Sequence, residues 1–102
     1  MKVINESEFD SLVINTKGLI IVDFFATWCG PCRMLAPELE EASEELGIVC
    51  YKVDVDESEN LARRHGIMAV PTVYIYKDGK IVNHFNGYRT KEEIIEFINE
   101  CK

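Results

Sequence analysis

A nearly continuous run of apolar residues at positions 19–26, LIIVDFFA, restricts the fold more than any other feature of the sequence. A half-exposed strand alternates apolar and polar residues, whereas a strand covered on both faces is apolar throughout. The run therefore predicts a central strand of a sheet with helices on both sides. Asp23 is its one polar residue, and burial raises the pKa of a carboxyl group that has no compensating partner. An edge strand in which Asp23 caps a loop is the alternative.

Strand-like and helix-like periodicities alternate along the chain in the order β-α-β-α-β-α-β-β-α, without an internal repeat or a low-complexity linker. A βαβ unit joins parallel strands through a helix, whereas the Asp-Gly pair at 78–79 predicts an antiparallel hairpin. We therefore expect an α/β fold with a mixed central sheet of about five strands, flanked by about four helices. Residues 1–102 are expected to form a single domain.

Caps and turn residues predict the bounds of the other elements. Asn5 with Glu8, and Thr90 with Glu93, have the spacing of capping boxes, so a helix is expected to start after each cap residue. The remaining expected elements are a strand at 3–4, a first helix that stops at Gly18, a second that stops at Gly47, a strand at 48–55, a helix at 58–65, and strands at 72–76 and 81–85.

Composition and charge narrow the possible functions. The chain has 102 residues, 47% of them hydrophobic, so it is large enough to bury a core without disulfide staples. Its formal net charge of -7 disfavours nucleic acids and anionic membranes as partners. No stretch reaches the roughly twenty apolar residues of a membrane span, and the first residues lack the apolar core of a signal peptide. We therefore expect a cytoplasmic protein, in which a close cysteine pair is more often catalytic or metal-binding than structural.

Cys29 and Cys32 lie directly after the apolar run, at the expected start of a helix. Working groups in open α/β sheets lie at this end of the strands. Pro31, between them, has no amide hydrogen to lose and suits the first turn of a helix. Free amide groups and the positive end of the helix dipole would favour a thiolate on Cys29. A thiolate is a better nucleophile and a better metal ligand alike, so position alone does not separate redox chemistry from metal binding.

A zinc site is the main alternative to a redox pair, and the sequence does not favour it. Structural zinc sites need four ligands, and the chain has only one Cys-x-x-Cys pair. Cys50 is expected to be a small buried residue, and Cys101 an exposed thiol at a frayed end. His65 suits a helix C-terminus and His84 an exposed strand position, and neither has ligand spacing. No metal site is therefore expected.

The pentapeptide Trp28-Cys29-Gly30-Pro31-Cys32 is the active-site sequence of thioredoxins, and the chain is similar to this family over its whole length. The similarity also rests on the order of elements and on Asp23, Lys52, Val70-Pro71-Thr72 and Gly87. It implies the thioredoxin fold and the reduction of disulfides in other proteins.

The resemblance also implies roles for individual residues. Cys29 would attack a substrate disulfide, and Cys32 would then resolve the mixed disulfide. Asp23 would activate Cys32, with Lys52 as the charge partner of Asp23. The substrate would lie along Trp28, Gly30, Pro31, Val70, Pro71 and Gly87, with the Val70–Pro71 bond cis and facing the cysteine pair.

The resemblance implies, as partners, oxidised protein substrates and a flavin-containing thioredoxin reductase that recycles the oxidised pair with electrons from NADPH. The chain itself would then bind no cofactor, and a monomer is expected. Asn86 and Tyr88, on either side of Gly87, depart from the family pattern and should border the substrate groove. A non-catalytic peptide-binding module and a thiol-based metal or redox-storage protein remain as alternatives to a dithiol reductase.

Overall fold

The computed structural model describes residues 1–102. Its strands are β1 (Lys2–Val3), β2 (Leu19–Phe25), β3 (Val49–Asp54), β4 (Thr72–Lys77) and β5 (Lys80–Asn86). Its helices are α1 (Glu6–Phe9), which continues as a π-helical segment (Asp10–Ile14), α2 (Gly30–Leu46), α3 (Glu59–Arg64) and α4 (Lys91–Glu100). The order of elements predicted from the periodicity is confirmed.

All five strands belong to one sheet, in the order β1-β3-β2-β4-β5. β1, β3 and β2 are parallel, whereas β4 is antiparallel to both β2 and β5. The predicted mixed sheet is therefore confirmed. β2 lies in its middle, and Asp23 is 0% exposed. The alternative of an edge strand is wrong, because β2 is hydrogen-bonded to a strand on each side and has a hydrophobic core on each face.

Two hydrophobic cores lie on opposite faces of the sheet, because successive strand residues point to opposite sides. Ile21 and Ile75 face α2 and α4, which contribute Leu35, Leu39, Ala42, Ile94 and Ile98. The other face of β2 meets α1, the π-helical segment and α3, which contribute Phe9, Val13 and Leu61. Asp23 alternates with residues of this second core, so its side chain points to the α2 face.

The first helix is shorter than predicted. The capping box at its start is present, and the Asn5 side chain accepts a hydrogen bond from the Glu8 amide at 3.1 Å. The helical segment nevertheless ends at Ile14 and does not extend to Gly18. The hydroxyl group of Thr16 donates to a carbonyl group of the preceding turn at 2.9 Å. This side-chain bond satisfies one of the free carbonyl groups that every helix leaves at its end.

The hairpin between β4 and β5 follows the prediction from the Asp-Gly pair. Asp78 and Gly79 have φ angles of 53° and 80°, the left-handed conformation that a two-residue turn of this kind requires. A side chain at position 79 is also excluded by space, because a Cβ atom there would collide with the Ile14 carbonyl oxygen.

Candidate active site

Cys29 and Cys32 form a disulfide across the first turn of α2, with their Cα atoms 5.3 Å apart. Cys29 is the N-cap residue of the helix, and its Sγ accepts a hydrogen bond from the Cys32 amide at 3.2 Å. Pro31 lies in the first turn, where its missing amide hydrogen leaves no helical bond unmade. In the reduced protein a thiolate on Cys29 would accept from the same amide and lie at the positive end of the helix dipole, and both favour negative charge there.

The two cysteines are almost fully enclosed, with 4% of Cys29 and 3% of Cys32 exposed. They pack with Ala26, which follows β2, and Val70 lies against the same small cluster. The Val70 carbonyl oxygen lies 3.7 Å from the Sγ of Cys29. The bond between Val70 and Pro71 is cis, as expected from the resemblance. The loop before β4 therefore closes over the cysteine pair on the Cys29 side.

An open groove of about 350 Å³ lies beside this cluster, between Trp28, α3 and the loop at 67–70. Trp28 is 69% exposed, and its indole Nε1 donates to Asp56 Oδ2 at 2.9 Å. The indole is thus held by one edge while its apolar faces remain open. Met68, which is 96% exposed, adds a flexible apolar side chain to the rim. Neither Asp56 nor Met68 was expected from the sequence, because no local pattern signals their contact with this groove.

Arg33 joins the start of α2 to the loop that precedes it. Its guanidinium group donates to the Thr27 carbonyl at 2.9 Å. Gly30 is half-buried at the first helical position, and a Cβ atom there would meet only the Arg33 guanidinium, at 4.0 Å. The structure thus brings Trp28, Gly30 and Pro31 together with the cysteine pair at one end of the sheet.

Gly87 contacts Pro71 rather than the groove, because its amide donates to the Pro71 carbonyl at 2.9 Å. Asn86 and Tyr88 are not among the residues that line the groove beside Trp28, but Asn86 lines a neighbouring pocket with Met68 and Ala69 of the same loop. That both residues border the substrate groove stays a prediction. Asn86 pairs with Thr72 across β4 and β5, and its side-chain amide donates to the Thr72 hydroxyl at 2.7 Å. The cross-strand register, which the sequence does not reveal, decides this placement.

Asp23 is fully enclosed on the α2 face, and neither of its carboxyl oxygens has a hydrogen-bond partner. Desolvation raises the pKa of Asp23 to about 7, and the charge of Lys52 opposes this rise. Lys52 lies opposite Asp23 in the β2–β3 register. Its ammonium group makes no hydrogen bond to Asp23 and lies 4.1 Å from the centroid of the Phe25 ring. Lys52 therefore acts on Asp23 through its electric field and not through a hydrogen bond.

The two free cysteines lie in different surroundings. Cys50 is buried, as predicted, and burial raises the pKa of its thiol far above the usual value. The prediction of an exposed Cys101 is wrong. Its Sγ donates to the Phe97 carbonyl at 3.3 Å, and the side chain packs partly against the core of α2 and α4. The last turn of α4 is held by this packing, which position near the end of the sequence does not show.

His65 lies at the end of a helix and His84 at an exposed strand position, as predicted. His65 caps the C-terminus of α3, and His84 is exposed on β5. No group of three or more His, Cys, Asp or Glu side chains has an arrangement that could hold a metal ion. None of the helices is both long and apolar enough to cross a lipid bilayer.

A disulfide at the start of a helix, beside an open apolar groove, is the arrangement of a thiol-disulfide exchange protein. The family model Thioredoxin matches residues 1–100. A thioredoxin of Listeria monocytogenes is 51% identical over 87 residues, which cover 83% of this chain and 84% of the relative. A thioredoxin of Bacillus subtilis is 41% identical over the same share of each chain. A thioredoxin of Chlamydia caviae is 39% identical over 101 residues, 98% of this chain and 97% of the relative. The chain belongs to the thioredoxin family.

Family membership and the cysteine geometry agree on the reaction, which is dithiol–disulfide exchange. The protein is a thiol-disulfide oxidoreductase whose redox-active group is its own cysteine pair, and thioredoxins need no prosthetic group for this chemistry. In general terms its partners are a reductase and molecules that carry disulfides.

Proposed function

We propose that this protein reduces disulfides in other proteins, with Cys29 as the attacking thiolate and Cys32 as the resolving thiol. The thiolate of Cys29 bonds to one sulfur of the substrate disulfide, whose S–S bond breaks, and the other sulfur leaves as a thiolate that takes up a proton. The thiolate of Cys32 then bonds to the Sγ of Cys29 and releases the second substrate thiolate. The substrate gains two electrons and two protons, and the cysteine pair becomes the disulfide.

The hydrogen bond from the Cys32 amide to the Sγ of Cys29 is the observation that carries this assignment. This bond is made at the N-terminus of α2, where backbone amides and the helix dipole stabilise a negative charge on the Sγ of Cys29. The Sγ of Cys32, the third residue of the helix, accepts no such hydrogen bond. Cys29 also lies against Val70 beside the open groove, on the side from which an extended substrate could approach.

Asp23 is proposed to accept the proton of Cys32 when the mixed disulfide is resolved. A general base works best when its pKa lies near the operating pH, and burial raises the pKa of Asp23 to about 7. Both of its oxygens are free to take a hydrogen bond. Lys52 is proposed to tune this residue, because its positive charge favours the ionised form.

The substrate is proposed to bind along Trp28, Gly30, Pro31, Val70, Pro71 and Gly87. The exposed indole of Trp28 and the adjacent apolar groove suit the side chains that flank a cysteine in a protein. The backbone of Val70 next to Cys29 is suited to pair with an extended chain, as in strand addition to a sheet. Gly87 contributes by holding the Pro71 carbonyl.

A flavin-containing, NADPH-dependent thioredoxin reductase is the proposed source of electrons for the oxidised pair. The cytoplasm is the proposed compartment, because the two remaining cysteines, Cys50 and Cys101, are free thiols of a kind that reducing compartments preserve. A monomer is the proposed working state, since one chain supplies the disulfide, the groove and Asp23.

Trapping of a mixed disulfide tests the division of roles. Cys32→Ser keeps the attacking thiol but removes the resolving one, so after incubation with insulin it should carry a covalent insulin chain on a non-reducing gel. Cys29→Ser should trap none, and Cys101→Ser, which retains the pair, should behave as the unmodified protein. Equal trapping by Cys29→Ser and Cys32→Ser would show that the nucleophile is wrongly assigned.

A further inference from the structure

Two side-chain hydroxyl groups of β4 bind the loop at 66–71, one near each end. The Tyr74 hydroxyl donates to the His65 carbonyl at 2.8 Å, where α3 ends and the loop begins. The Thr72 hydroxyl donates to the Ala69 carbonyl at 2.7 Å, close to the end of the loop. Thr72 and Tyr74 lie two residues apart and therefore on the same face of the sheet.

Strand β5 supports both of these anchors. The ring of His84 stacks on Tyr74 with centroids 5.2 Å apart. The side-chain amide of Asn86 donates to the Thr72 hydroxyl at 2.7 Å. Each anchoring residue of β4 thus has its own neighbour on β5, and the register pairs Tyr74 with His84 and Thr72 with Asn86.

The direction of the hydrogen bonds at Thr72 is fixed by its partners. A carbonyl oxygen only accepts, so the single hydroxyl proton of Thr72 must go to Ala69. The Asn86 group that meets the hydroxyl oxygen must therefore be the donor, which is its NH₂ end. The chain of bonds runs from Asn86 through Thr72 to Ala69, and each bond in such a chain polarises the next.

We propose that Asn86 is a positioning residue for the disulfide-reduction reaction, acting through Thr72 on the loop that places Val70 against Cys29. Thr72 is 3% exposed, so water does not replace a partner that it loses. Ala69 directly precedes Val70, whose carbonyl oxygen lies 3.7 Å from the Sγ of Cys29. Asn86 is not among the residues that line the groove beside Trp28; it lines a neighbouring pocket with Thr72, Met68 and Ala69. The proposal rests on the proposed function, because it concerns how a protein substrate meets this loop.

Two substitutions at Asn86 separate hydrogen-bond direction from shape. Asn86→Leu keeps the approximate size and removes the donor. Asn86→Asp keeps the shape but offers only acceptor oxygens when ionised, so the Thr72 hydroxyl would donate to it and leave the Ala69 carbonyl without a partner. The second variant should therefore disturb the loop more than the first, whereas a simple packing role would make the isosteric change the milder one. Asn99→Leu, the same change at an exposed position of α4 that takes no part in these hydrogen bonds, is the control.

The experiment compares the rates at which the reduced protein is oxidised by insulin and by hydroxyethyl disulfide. Insulin must engage the loop, whereas the small disulfide needs only access to Cys29. Asn86→Leu should lower the rate constant with insulin about fivefold, which corresponds to a typical hydrogen bond of about 1 kcal/mol, and leave that with the small disulfide unchanged. Asn86→Asp should lower the rate constant with insulin further. Thr72→Val should reproduce the loss, and Thr72→Ser, which keeps the hydroxyl, should retain most of the rate.

Amide hydrogen exchange at positions 67–70 of the oxidised protein gives a second readout that needs no catalysis. It should be faster in Asn86→Leu and faster still in Asn86→Asp, with Asn99→Leu unchanged. Unchanged exchange and insulin rates in Asn86→Asp would overturn the proposal, as would an equal fall in the rates with both disulfides. Failure of the unmodified protein to reduce insulin would refute the proposed function instead, and the exchange rates would still decide whether Asn86 anchors the loop.

Discussion

Replacement of Asp23 by asparagine should change how the stability of the oxidised protein depends on pH. Burial raises the pKa of Asp23 from its usual 3.8 to about 7. In the unfolded chain the carboxyl group ionises near its usual value, so between these two pH values the folded protein holds a proton that the unfolded chain has lost. The free energy of unfolding therefore falls as the pH rises through this window. Because an asparagine amide does not titrate, Asp23→Asn should remove this fall.

The size of the effect follows from the difference between the two pKa values. At about 1.36 kcal/mol for each pH unit, the rise from 3.8 to about 7 corresponds to a loss of about 4 kcal/mol in the free energy of unfolding. The loss is absent below pH 3.8 and complete above pH 7. The burial of an unpartnered amide adds a contribution to Asp23→Asn, but that contribution does not vary with pH. The pH-dependent part of the difference between the two proteins is thus the quantity that Asp23 determines.

Urea unfolding of both oxidised proteins, followed by circular dichroism between pH 4 and pH 8, measures this difference. Between pH 4 and pH 8, the free energy of unfolding of Asp23→Asn should rise by about 4 kcal/mol relative to that of the unmodified protein. Asp54→Asn is the matched control, because it changes a second buried carboxylate whose Oδ1 accepts from the Asp56 amide at 2.9 Å. That variant should lose stability, since it weakens a hydrogen bond. A difference between Asp23→Asn and the unmodified protein that stays constant with pH would refute the reasoning.

Two further predictions concern groups near the sheet. Lys52→Met removes the positive charge that lowers the pKa of Asp23, so the pH at which the fall in stability ends should move upward; an unmoved profile would show that the two residues do not interact. Burial lowers the pKa of His65 below its usual 6.5, so the folded state resists protonation and loses stability as the pH falls below that value. His65→Gln should remove this acid-side loss in the same urea measurements, and parallel profiles for the two proteins would contradict the explanation.

Much of the fold could be predicted because its local signals agree with one another. The apolar run before Cys29 is typical of a strand covered on both faces, and β2 is the middle strand. The Asp-Gly pair at 78–79 specified the hairpin, and both capping boxes are present. In each case the residues that carry the signal are neighbours in sequence, so the physics that determines the element is visible locally.

The features that could not be predicted depend on contacts between distant residues. The indole of Trp28 is held by Asp56, and the Thr72 hydroxyl receives its second hydrogen bond from Asn86. His65 could be placed at the end of a helix, but not among the rings of Phe9, Phe24, Tyr74 and Tyr76 that surround it. Such contacts depend on strand register and on how helices cross the sheet, and no local sequence pattern predicts either.

The burial of Asp23 itself favours a role for this residue in the reaction. A carboxyl group without a hydrogen-bond partner destabilises the folded state, and an apolar residue of similar size would complete the core on the α2 face at no such cost. Nothing in the packing requires an acid at this position. What the acid adds is a group that can change its protonation state near neutral pH, in the strand that leads directly to the cysteine pair. Because the exchange reaction moves a proton whenever a thiol becomes a nucleophile, the same desolvation that weakens the fold gives Asp23 a pKa suited to its proposed role as the proton acceptor of Cys32.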